Sequence, residues 1–267
     1  MDMMRKLTLL LLVLLGMGSA VMAYNNTYVV LVGVADYKYD YAINDLPYTL
    51  NNTTAMYNFF TSKKGGSVPA SNIYLLTDSN ASKDNIIRKS KELFAKAKKN
   101  DRVILYIAGH GGDGFFAPYD YDQTYESLLF YSDIKAIFRS ARCNTKLLFI
   151  DTCYAGGIKV GLGKAEKNGK DRTSTDNLNI AVMSASGAKE VSWQSSDIQK
   201  GVFTHYLIEG LGGAANRDGN KYITIQELYY YVYHKVQEKT QSESYDSMQT
   251  PQLFGKFDLR LIVANVY

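Results

Sequence analysis

The stretch KLLFIDTCYAGG, residues 146–157, decides the architecture. Its apolar run Leu147 to Ile150 stops abruptly at Asp151 and is followed by Cys153 and the small residues Ala155, Gly156 and Gly157. A short unbroken apolar run closed by a small-residue loop reads as a strand buried on both faces of a parallel sheet. In open α/β sheets, reacting groups gather just past the carboxyl ends of such strands. A thiol at Cys153 is therefore placed for chemistry rather than for packing.

Residues 102–109, RVILYIAG, repeat the design and lead into His110-Gly111-Gly112. If the two strands are neighbours, His110 and Cys153 face each other on one rim of the sheet. A cysteine nucleophile needs that pairing, because the thiolate is the reactive form and a nearby imidazole favours it. Taken singly, each residue reads more simply as an inert buried Cys or a His in a turn; the two strand-end motifs together favour catalysis.

AGHGG (108–112) and DTCYAGG (151–157) resemble the His and Cys motifs of caspase-like cysteine peptidases, nearest the bacterial metacaspase-type branch. The likeness runs from about Val29 to Leu253 and takes in GVFTHYLIEGL (201–211), ITIQELYYYV (223–232) and QTPQL (249–253). It implies a caspase-like α/β sandwich: a mostly parallel, six-stranded central sheet with helices on both faces. It also implies a dyad of His110 and Cys153 acting through a thioester. The backbone N–H groups of Cys153 and Gly111 would form the oxyanion hole. Legumain-like relatives imply peptide ligation as another outcome of the same thioester, and a binding module with a fossil site is a third reading.

Asp151 lies two residues before Cys153, so in extended chain both side chains leave one face of the strand. A carboxylate there favours Arg or Lys before the scissile bond; a structural carboxylate capping nearby N–H groups is the alternative. Around Ser192-Trp193-Gln194 the chain resembles true caspases, but Gln194 stands at their Asp-reading Arg, which argues against acidic substrates. Asn52, in LNNTT, matches a second pocket Asp of metacaspase-like relatives. Ser184, Trp193, Gln194 and Asn52 thus join Asp151 as expected substrate contacts. Asp113, Asp120 and Asp122 are the next candidates should the pocket lie elsewhere.

The chain has 267 residues, enough for one large α/β domain. Arg5 and Lys6, the apolar run Leu7 to Leu15 and the end Val21-Met22-Ala23 form a secretory signal peptide, with cleavage expected after Ala23. An uncleaved anchor is disfavoured because the apolar core is short. The expected product is an exported domain, periplasmic or secreted, over residues 24–267, with no later segment suited to a bilayer. The formal charge of +4 falls to +3 without residues 1–23, too mild to imply nucleic acid. Protein or peptide substrates are the expected partners. Cys143 and Cys153 flank one strand and would lie roughly 20 Å apart, so no disulfide is expected.

Strands are expected at 28–34, 72–76, 102–109, 146–151 and 179–184, with a last edge strand at 259–263. Helices are expected at 48–60, 83–98 (capped by Ser82), 133–141, 202–211 and 224–239, with an aromatic hairpin insertion at 115–131. The polar, Gly-rich loop 156–178 directly follows the nucleophile and carries Lys159, Lys164, Lys167, Lys170 and Arg172. Mobile exposed loops are where proteolysis concentrates, so these five are the expected self-cleavage sites. Two motifs mislead. Residues 109–114 satisfy G-x-G-x-x-G, but Phe115-Phe116-Ala117-Pro118 opens no helix for a pyrophosphate. Asn216, Asp218, Asn220 and Glu227 fall at calcium-loop spacing, yet Lys221 stands where that loop needs Gly, and a plain turn explains the stretch as well. No H-e-x-x-H pattern points to zinc, and no cofactor is required by this chemistry.

Overall fold

The computed structural model describes residues 24–39, 43–157, 178–242 and 248–266. In chain order the principal elements are β1 (Thr27–Gly33), α1 (Thr49–Thr61), β2 (Ile73–Thr77), α2 (Lys83–Phe94) and β3 (Arg102–Ala108). A small ribbon follows: β4 (Gly111–Gly112), β5 (Phe115–Phe116) and β6 (Leu129–Phe130). Then come α3 (Tyr131–Arg139), β7 (Thr145–Asp151), β8 (Ile180–Ser184), β9 (Gln194–Ser195), β10 (Lys200–Gly201), α4 (Val202–Glu209), β11 (Tyr222–Thr224), α5 (Ile225–Ser242), β12 (Gln252–Gly255) and β13 (Ile262–Asn265).

The central sheet has the order β12-β8-β7-β3-β1-β2. Its first five strands in sequence are mutually parallel, and β12 closes one edge antiparallel to β8. Every residue of β3 and β7 is buried, as their unbroken apolar runs require. Alternate side chains feed two cores. Val30, Val32, Leu105, Ile107, Leu148 and Ile150 pack against α2 and α3. Val29, Leu31, Ile104, Tyr106, Leu147 and Phe149 pack against α1, α4 and α5. The expected α/β sandwich is present.

Three expectations need correction. The sixth strand is β12, not 259–263: Leu259 is exposed in a turn, and β13 pairs with β11 in a separate two-stranded ribbon. Ser82 makes no side-chain cap for α2; Asp120, from the aromatic insertion, accepts the Lys83 N–H instead at 2.9 Å. The same helix ends at Phe94, four residues early, before the turn that leads into β3.

Register positions the site. Ala108 of β3 pairs with Asp151 of β7, and the Gly109 N–H reaches the Asp151 carbonyl at 3.3 Å. His110 and Cys153 are therefore each two residues past the ends of adjacent, parallel, in-register strands.

Candidate active site

His110 is held from three sides. Its backbone N–H donates to the Tyr37 hydroxyl at 2.9 Å, and the Tyr37 ring lies 5.5 Å from the imidazole centroid. Its Nε2 is 2.7 Å from the carbonyl oxygen of Asn44. A carbonyl can only accept, so this contact assigns the ring proton to Nε2 and leaves Nδ1 as the acceptor. Burial holds the imidazole below its ordinary pKa, with the Asn44 carbonyl and the Asp45 carboxylate pulling the other way. Burial thereby favours the neutral form of the ring.

Cys153 is half-buried and free. Burial pushes its thiol up; the Ser192 backbone lowers it and the Asp151 charge raises it further. Burial thus disfavours the thiolate and the imidazolium alike. Gly111 lies against β7's continuation, where a Cβ would come within 2.6 Å of Thr152 Oγ1. Only glycine lets the chain after His110 run this close to the turn that carries Cys153.

Asp151 is buried beneath that turn. Its Oδ1 accepts the Ser192 hydroxyl at 2.6 Å, and its Oδ2 accepts the Thr204 hydroxyl and, at 3.4 Å, the Asn52 amide. Thr204 Oγ1 is 2.6 Å from the Tyr106 hydroxyl. Because Thr204 gives its own proton to Asp151, Tyr106 is the donor in that contact. Burial raises the Asp151 pKa, and Ser192 and Thr204 oppose the rise. No described lysine or arginine pairs with it.

The expected pocket residues divide. Asn52 sits against Asp151 and also accepts the Gly201 N–H at 2.8 Å. Gln194 flanks the same corner, donating to Thr49 Oγ1 at 3.3 Å and pairing with Gly201. Trp193 is partly exposed, its N–H accepted by Gln249 Oε1 at 2.9 Å. Ser184 is a correction: it is fully buried and donates to the Ser186 carbonyl at 3.2 Å, so it shapes the turn after β8. Asp113, Asp120 and Asp122 belong to the aromatic insertion, where Asp120 caps α2 and Asp122 accepts the Thr124 N–H at 3.0 Å.

Several residues that build this corner carried no local signal in the sequence. Gln249 is fully buried; besides Trp193 it serves the Ala185 carbonyl at 2.9 Å and Ser192 Oγ at 3.3 Å. Glu190 accepts the N–H groups of Gly187 and Thr250, and its carbonyl takes the Tyr154 N–H at 2.8 Å. Together they tie the chain after β8 to the turn that carries Cys153. The calcium-spaced residues, by contrast, bond to one another. Asp218 accepts both Asn220 N and Nδ2, and Glu227 caps α5 by accepting from Thr224. Among the described residues no group of three His, Cys, Asp or Glu side chains could hold a metal. Residues 1–23 and the five self-cleavage candidates, Lys159 to Arg172, lie outside the described residues.

An α/β sandwich with His and Cys beyond adjacent strand ends defines a caspase-like site. The family model for the caspase domain matches residues 26–258, and the chain belongs to that peptidase family. It is also similar to a probable protease from a Desulfuromonadales bacterium, 24% identical over 238 aligned positions. The match covers 75% of this chain and 29% of that relative, so the chain spans less than a third of the relative's length.

Proposed function

We propose that the protein is an exported cysteine endopeptidase that cleaves after a basic residue held by Asp151. The observation that supports it is the shared register: His110 and Cys153 stand equally far past β3 and β7, with Nε2 tied back to Asn44. Nδ1 takes the Cys153 proton as sulfur attacks the peptide carbonyl. The backbone N–H groups of Cys153 and Gly111 receive the developing oxyanion. The proton then passes to the leaving amine, and water, deprotonated by the same imidazole, hydrolyses the thioester. Asp151 supplies specificity: it is a buried carboxylate with hydrogen-bond donors but no cation, and such a site favours a ligand that brings one. The reading extends to self-cleavage after Lys159, Lys164, Lys167, Lys170 or Arg172.

A fluorogenic panel bearing Lys, Arg, Asn or Asp before the reporter, run on wild type and Cys153→Ala, tests the proposal. Turnover of the basic substrates by wild type alone is expected. Retained turnover in Cys153→Ala ends it. Mass spectrometry of the two proteins incubated side by side tests self-cleavage, and the amino-terminal residue of exported protein tests cleavage after Ala23.

A further inference from the structure

Beyond His110 the chain enters the small ribbon, whose registers are Gly111↔Phe116, Gly112↔Phe115 and Phe115↔Phe130. The His110 carbonyl accepts the Ala117 N–H at 3.0 Å, which ties the ribbon to the imidazole's own residue. Side chains alternate along a strand. Phe116 and Leu129 are buried in the core beneath α2 and α3, whereas their neighbours Phe115 and Phe130 stay partly exposed. The rings of Phe115 and Phe130 meet edge to face at 6.3 Å, and the Tyr125 ring lies over Phe130 at 4.3 Å. Tyr125 is 70% exposed, the most open large apolar side chain among the described residues. Single exposed apolar side chains are ordinary, but three rings in contact form a continuous surface.

This surface adjoins the proposed site. A Cβ on Gly111 would come within 2.6 Å of Thr152 Oγ1, and one on Gly112 within 2.3 Å of the Phe115 ring. Two consecutive residues past His110 therefore lie against the turn that carries Cys153 and against the aromatic surface. The ribbon also sits across the sheet from Asp151. Asp151 meets Asn52 of α1 and Thr204 of α4, while Phe116 and Leu129 belong to the opposite core. His110 would give its proton to the leaving amine, so the residue bearing that amine lies on the His110 side of the scissile bond.

Building on the reading of His110 and Cys153 as a peptidase dyad, we infer that Phe115, Phe130 and Tyr125 form the subsite for the residue just after the scissile bond. The subsite selects a large apolar or aromatic side chain. A further ring can stack on, or meet edge to face, the rings already there. Residues 111–131 carry Asp113, Asp120, Asp122 and Glu126 with no Lys or Arg, so an acidic occupant meets like charge.

Internally quenched peptides that differ only after the scissile bond decide the matter. They carry Phe, Leu, Gly or Asp there and, before it, whichever residue the fluorogenic panel favours, with the cleaved bond located by mass spectrometry. A kcat/KM on the order of tenfold higher for Phe than for Gly is expected, from partial burial of one apolar side chain, with Asp lowest. Equal values for Phe and Gly, or a preference for Gly or Asp, would overturn the inference while leaving the peptidase standing. No peptide cleaved by wild type, or equal cleavage by Cys153→Ala, would overturn the peptidase reading and the inference with it. Tyr125→Ser removes the outermost ring, whose exposure keeps the change out of the core. Its Phe-to-Gly ratio should fall several-fold, and an unchanged ratio in both Tyr125→Ser and Phe115→Ala would overturn the assignment of the subsite to these rings.

Discussion

Replacing Asp151 by Asn should move two activities of the same site in opposite directions. The amide can keep its oxygen toward Thr204 and Asn52, the two donors at Oδ2, and present its nitrogen to Ser192, whose hydroxyl can accept. The fold therefore survives, and what disappears is the negative charge. A charge-assisted hydrogen bond to a bound ammonium contributes about 2 kcal/mol, so cleavage after Lys should fall roughly thirtyfold in kcat/KM. The Asp151 charge is also one of the causes that raise the Cys153 thiol. Without it, alkylation of Cys153 by iodoacetamide at neutral pH should become faster. Stability carries a third signature. Burial raises the Asp151 pKa above its ordinary value of 3.8, so its contribution is fully present below that value and is lost as pH rises through the folded pKa. The variant lacks this titration and should gain on wild type in urea midpoint as pH rises above about 4. Cleavage and alkylation falling together would refute the reasoning, because it would mean that Asp151 only holds the nucleophile's turn in place.

Cys153→Ala and His110→Ala should each abolish cleavage in a folded protein. Cys143→Ala should leave cleavage intact, since that thiol is buried and donates to the Thr145 carbonyl at 3.3 Å; activity measurements with melting curves check all three. Tyr37→Phe deletes the acceptor of the His110 N–H, worth about 1 kcal/mol, and should lower kcat several-fold with KM unchanged. The acid limb of kcat/KM should lie below the ordinary imidazole value of 6.5, because burial lowers His110. Alkylation of Cys153 should keep accelerating past the ordinary thiol value of 9.0. Rapid alkylation near pH 6 would instead reveal a resting thiolate–imidazolium pair.

The parts of the fold that could be read from sequence are those whose burial is complete. β3 and β7 are buried along their whole length, and each is built on an unbroken apolar run, residues 103–108 and 147–150, with polar residues only at the strand ends: Arg102, and Thr145, Lys146 and Asp151. The sixth strand could not be read the same way. Gln252–Gly255 is an edge, with only Phe254 buried, whereas the more apolar stretch near the end of the chain supplies β13 to a different ribbon. Hydrophobicity marks a strand for burial and does not say which sheet will bury it. Ser82 failed as a cap for a related reason: the helix terminus needs an acceptor, and tertiary structure delivered Asp120 from 37 residues away.

The same distinction separates the proposed catalytic pair from the proposed pocket. His110 and Cys153 follow directly on buried strands, so the local sequence carries their placement. The donors on Asp151 come from 41, 53 and 99 residues away, and no local pattern distinguishes Thr204 from any other helix residue. Yet their arrangement follows from one requirement. A carboxylate taken out of water needs either a counter-charge or a shell of donors. Two hydroxyls, a side-chain amide and the Thr204 backbone N–H supply the shell without supplying a positive charge. Donors without a counter-charge leave any negative charge on Asp151 unbalanced, and the proposed pocket for a basic residue rests on that imbalance.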